Sequence, residues 1–196
     1  GAFFAVRADI WKQLEGFNPM LFAYGEDVEL SIRIRQLGKT ITYVPIAVAK
    51  HDYEFSKNAH KMFLLERNRL INVFTVYDNQ TIKKLLPGLL AIELGIAVQS
   101  ARGHWWKEKK NSYVWLYKNR RMVKTRKQHI RKTKHLPDVE LAKSLTYEIQ
   151  LPEDTKGLTD TSPPALFNKI LAHVAVRAFG MKPQRRLNPN RYSSEI

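Results

Sequence analysis

Apolar and polar positions change their rhythm several times along the first eighty residues, and each change predicts a new element. Phe3-Phe4-Ala5-Val6-Arg7 reads as a buried strand. Asp9 is placed to cap a short helix through Leu14-Glu15, Gly16 stops it, and Phe17-Asn18-Pro19 makes a turn. From Glu26 to Leu37 the apolar positions Val28, Leu30, Ile32, Ile34 and Leu37 sit among charges, and Gly38 follows as a stop, which predicts a helix. Thr40-Ile41-Thr42-Tyr43-Val44 is β-branched and aromatic and ends at Pro45, so it reads as a strand. Val48-Ala49-Lys50-His51 reads as a second short extended piece. Residues 59–77 form an amphipathic helix with Met62, Leu65, Leu70 and Val73 as expected core contacts. Strand and helix in alternation predict an α/β layer structure for residues 1–80.

Beyond residue 80 the pattern is different. Leu85 to Ala101 is strongly apolar but carries Pro87, Gly88, Glu93 and Gly95, and Trp105-Trp106 follow it. Residues 152–164 read as a linker, and Leu166, Phe167, Ile170, Leu171, Val174 and Ala178 recur at helical spacing. Residues 182–196 read as a disordered tail. The expected organisation is therefore 1–80, 81–135 and 136–196.

Charge sharpens this division. The 196 residues carry a net charge of +15, and between Arg102 and Lys134 thirteen Lys and Arg face a single acid, Glu108. A block that one-sided attracts polyanions, whether nucleic acid, anionic lipid or a phosphorylated glycan carrier. Cysteine is absent, which excludes a disulfide framework and thiolate chemistry. The chain opens on Gly1 without a charged and apolar leader, and is expected to be cut from something longer.

Chemistry concentrates at Tyr24-Gly25-Glu26-Asp27-Val28-Glu29-Leu30. Two adjacent acids at a loop-to-helix junction hold one carboxylate ready, and such a group can take a proton from an attacking hydroxyl. Acids at a helix start also serve simply to complement the helix dipole. His51 can act as a metal ligand or a proton carrier, or sit as an ordinary surface or core imidazole.

Gly1-Ala2-Phe3-Phe4-Ala5-Val6-Arg7, Glu15-Gly16-Phe17-Asn18 and Phe22-Ala23-Tyr24-Gly25-Glu26-Asp27-Val28-Glu29-Leu30, followed by Arg33, Gly38 and Tyr43-Val44-Pro45, occur in this order. Together they resemble family-2 glycosyltransferases of the GT-A fold, especially the rhamnosyltransferase-like members, over roughly residues 1–75. The resemblance implies the C-terminal half of a GT-A, Rossmann-like α/β domain followed by helical segments. It implies an inverting transfer of a sugar from a nucleoside-diphosphate sugar to a glycan or lipid-linked acceptor in cell-surface polysaccharide synthesis. Asp27 matches the general base, Glu26 the acid that positions acceptor and base, and His51 a ligand to Mg²⁺ or Mn²⁺. Glu66-Arg67-Asn68-Arg69-Leu70 also resembles a stretch of this subgroup, and is read here as a helix face paired with acids.

The family's Asp-x-Asp motif is missing, since no two aspartates stand two positions apart. The chain alone is therefore expected neither to bind donor nor to turn over.

A membrane span needs about 20 mostly apolar residues, more than Leu85–Ala101 offers, and Glu93 would cost about 2.5–3.5 kcal/mol at its centre. Nucleotide sugars are cytosolic and the basic block should stay on the same side. Both ends on one face favour an interfacial or re-entrant helix at the cytoplasmic face of the membrane, with Trp105, Trp106, Tyr113 and Trp115 at headgroup level beside lysines drawn to anionic lipid. A core helix packed on the domain is the plainer alternative. The rival from another class is a basic anion-binding protein without catalysis, taking anionic lipid or nucleic acid, the latter stacked on Trp and Tyr, and a third is a non-enzymatic tether.

Overall fold

The computed structural model describes residues 3–50, 58–143 and 163–180, and its described part is all-helical. The helices are α1 (Ala8–Gln13), α2 (Glu26–Gln36), α3 (Ala59–Val76), α4 (Asn79–Arg102), α5 (Trp106–Lys118), α6 (Arg120–Thr133), α7 (Asp138–Ala142) and α8 (Pro163–Phe179). No strand occurs among the described residues, which overturns the expected α/β, Rossmann-like class.

The physical reason lies in what a strand requires. Phe3–Arg7 and Thr40–Val44 carry the right side chains, but β-propensity reflects packing beside a neighbouring strand more than a preference of the isolated backbone. Neither segment forms a ladder, and Tyr43 and Val48 are left 75% and 86% exposed. His51 lies outside the described residues, as do most of the expected linker and the tail.

Helical expectations fared better. Asp9 does not cap α1; Arg7 is the N-cap, and its guanidinium binds Asp9 in the first turn. Helix α2 closes at Leu37, where left-handed Gly38 lets the Lys39 N–H reach the Ile34 carbonyl. Ile10 and Leu14 of the α1 turn pack on Leu30, Ile34 and Leu37, with Val6 against them. In α3 the buried face is Leu64, Leu70, Ile71 and Val76, while Leu65 is exposed, so part of the expected face is one position out of phase. Asn58 caps this helix by accepting from the Lys61 N–H.

Helix α3 is the central element. It packs along α5 and α6 and touches α2, while α4 packs along α8. That last pairing uses Gly88, where an added Cβ would meet Val174 at 3.2 Å. No described helix is long and apolar enough to cross a membrane.

Buried charge holds the helices in register. Glu93 of α4 accepts hydrogen bonds from Arg69 of α3 and from Lys109 and Tyr113 of α5. Lys109, 1% exposed, also binds Glu66 at 3.0 Å. Burial pulls the Glu93 carboxyl upward, but the bonds from Tyr113, Arg69 and Lys109 hold it below its ordinary value. A second cluster ties α2 to its neighbours. Buried Glu29 accepts from Arg33 at 2.7 Å and from Arg126 of α6 at 2.8 Å, and Arg33 donates onward to the carbonyls of Leu14 and Gly16.

Candidate functional site

The loop from Asn18 to Gly25 delivers Glu26 and Asp27 to the first turn of α2. Its backbone is unusual. Phe22, Tyr24 and Gly25 have φ of 60°, 70° and 82°, all left-handed. For the two aromatic residues this conformation costs about 1–3 kcal/mol each, and it persists only where neighbours enforce it.

The enforcement comes from one face of α3. The Asn68 amide nitrogen lies 2.8, 2.7 and 2.7 Å from the carbonyl oxygens of Leu21, Ala23 and Tyr24, so its two N–H groups are shared among three acceptors. Asn72 donates to the Gly25 carbonyl at 2.9 Å. Arg67 adds bonds to the carbonyls of Met20 and Leu21, and its Nε–H donates to Asn68 Oδ1 at 2.9 Å, which fixes the orientation of that amide. The Arg67 guanidinium lies over the Phe63 and Trp115 rings, 5.4 and 4.9 Å from their centroids, and burial draws it below its ordinary value. Gly25 is required for two reasons: its positive φ, and the Asn72 Nδ2 that would stand 3.3 Å from a Cβ.

At the end of this loop the two acids are half-buried. Asp27 Oδ1 accepts from the Val28 N–H at 2.8 Å. Glu26 Oε2 is buried and has no hydrogen-bond partner, and the same holds for Asn72 Oδ1. Unspent acceptors inside a protein are costly, and both of these oxygens lie enclosed beside the loop. The helix N-terminus adds a partial positive charge that suits an anionic side chain.

Sequence reasoning placed Glu26 and Asp27 at this junction and passed over the residues that shape it. In Glu66-Arg67-Asn68-Arg69-Leu70, Glu66 and Arg69 do pair along the helix at 3.1 Å, as a helix face would. Arg67 and Asn68 instead turn to the loop. The available signal was an asparagine, intrinsically poor in helix interiors, recurring at Asn68 and Asn72 with the spacing of one helical face.

Among the described residues no group of three or more His, Asp or Glu side chains converges as a metal site. Glu29, the third acid of the motif, is bound to two arginines, and His51, the expected ligand to the divalent cation, lies outside the described residues.

The aromatic residues expected at headgroup level separate into two groups. Trp106 is exposed and Trp105 half-buried, whereas Trp115 lies against Arg67 and Tyr113 bonds Glu93. Glu93, expected to oppose membrane insertion, has three protein partners.

No family model, curated protein or solved structure matches this chain.

Proposed function

We propose that this chain activates an acceptor hydroxyl for inverting sugar transfer from a nucleoside-diphosphate sugar, with Asp27 as general base and Glu26 as its positioning partner. The observation that carries the reading is the clamp of Asn68 and Asn72 on four carbonyls of the loop leading into Glu26-Asp27. A strained loop fixed from one rigid helix sets a carboxylate to within the tolerance that proton transfer needs. Asp27 takes the proton as the acceptor oxygen bonds to the anomeric carbon, and the bond to the departing diphosphate breaks on the opposite face. Glu26, its neighbour in the same first turn of α2, positions the acceptor and the base. The sugar nucleotide is supplied by a part of the protein other than these helices.

The acceptor is a glycan or lipid-linked molecule at a membrane surface. Support comes from α4, where Leu86, Leu90, Leu94 and Val98 recur every fourth residue and are all exposed, Leu94 by 68%. An apolar ridge of this kind on a basic protein suits the boundary between headgroups and acyl chains.

The test is Asp27→Asn in the intact protein as the cell makes it, assayed by transfer of labelled sugar to membrane acceptors. Transfer should fall about a thousandfold, as loss of a general base does, with nucleotide-sugar binding retained. Unchanged transfer would end the proposal.

A further inference from the structure

Helix α6 carries Arg120, Lys124, Lys127 and Arg131 at steps of four, three and four, which places four cations along one face over about 16 Å. Facing them across a groove of about 750 Å³ is Lys83, in the first turns of α4. No acid lines the groove, and its floor is Phe74, Ile82, Leu116 and Val123. Five cations above an apolar floor define a ligand with a compact anionic head and a hydrocarbon body.

The cations differ in how far they are engaged. Arg120 donates to the Tyr117 carbonyl, Lys127 to Asn79 Oδ1, and Arg131 sits 3.6 Å from Asp78. Lys83 and Lys124 are exposed and have no ion partner among the described residues. Burial draws the Lys127 ammonium below its ordinary value, with Arg131 and Lys134 acting in the same direction against Asp78 and Asp138. A bound anion would relieve that crowding.

Continuity with the rest of α4 identifies the ligand. Lys83 and Leu86 are one turn apart, so the exposed ridge of Leu86, Leu90, Leu94 and Val98 begins where the cationic groove ends. We infer that the groove between α3, α4, α5 and α6 is a binding site for the phosphate headgroup of an anionic membrane lipid. The phosphate sits among Lys83, Lys124 and Lys127, and the first carbons of the lipid lie on Phe74 and Ile82. This rests on the membrane-surface part of the proposed function and is independent of Asp27.

The experiment is co-sedimentation of the full chain with phosphatidylcholine vesicles, with and without phosphatidic acid, for the wild type and two charge-reversed pairs. K83E/K124E changes the two unpaired groove cations. R121E/K132E makes the same change in charge at exposed α6 positions outside the groove. Circular dichroism and the thermal midpoint confirm that both pairs fold. The expected result is binding that requires phosphatidic acid, falls about tenfold or more in K83E/K124E, and stays within about twofold in R121E/K132E. Equal losses in both pairs would make the attraction diffuse and overturn the groove while leaving membrane attachment standing. Wild-type protein that ignores the vesicles would overturn both. Binding of inorganic pyrophosphate tighter than binding to phosphatidic acid vesicles would assign the groove to a soluble phosphate, and tighter binding to a short DNA duplex would assign it to nucleic acid; either overturns the lipid.

Discussion

The Asn68 amide nitrogen lies 2.7 Å from the carbonyl oxygen of Tyr24, whose backbone is left-handed and which stands three residues before Asp27. Few positions outside the acid pair touch the site's geometry so directly. Asn68→Ala leaves three loop carbonyls without this donor, and should cost about 2–3 kcal/mol in urea unfolding. It should also reduce sugar transfer in the intact protein. Asn68→Asp should be worse at neutral pH, because its carboxylate would face the same carbonyl oxygens.

Gly25→Ala tests the same loop from its other end. A Cβ there adds left-handed strain and meets Asn72 Nδ2 at 3.3 Å. The expected loss is about 1–2 kcal/mol, read as a lowered thermal midpoint. Asn72→Ala in the same chain removes the steric contact and also the bond to the Gly25 carbonyl, so the two losses should be less than additive.

Arg33→Lys keeps a charge and removes a fork. Arg33 reaches Glu29 and the carbonyls of Leu14 and Gly16 through three separate nitrogens, a pattern an ammonium on a flexible stem cannot reproduce. Denaturant unfolding should show a loss of about 2–3 kcal/mol.

The Glu93 cluster sets an acid limit on stability. Held below its ordinary value of 4.5 by its three donors, the carboxylate contributes stability that is complete above that value and is lost as pH falls through the folded-state value. The thermal midpoint should therefore decline below about pH 4.5. Glu93→Gln should lower the midpoint at neutral pH, where it leaves buried Lys109 with Glu66 as its remaining carboxylate, and should flatten the acid decline. A variant with the wild-type acid profile would exclude Glu93 as the source.

Helices were legible in the sequence because their signal is internal. Val28, Leu30, Ile32, Ile34 and Leu37 mark α2 as a helix, of which Leu30, Ile34 and Leu37 form the buried face and Val28 is exposed, and the apolar positions of residues 166–178 mark α8. The expected strands failed because Tyr43 and Val44 state only a preference, while a sheet depends on a second segment elsewhere. At the site, Glu26 and Asp27 were visible as an acid pair at a helix start. The loop clamp was hidden because Asn68 acts over more than forty residues of chain, and no local pattern announces a side chain whose partners are backbone carbonyls. The run 85–101 is part of a longer helix, and its acid is balanced by Arg69 and Lys109 from two other helices.

Asn68 and Arg69 are neighbours on α3: one grips the loop before Asp27, the other grips Glu93 on the helix that carries the apolar ridge. A single stiff rod thus joins the acid pair to the surface proposed to rest on lipid. If the ridge rests on lipid as proposed, both grips together would hold Asp27 at one height above the bilayer, and α3 would act as a depth gauge. Acceptor groups would then be selected by how far they stand out from the membrane as well as by what they are.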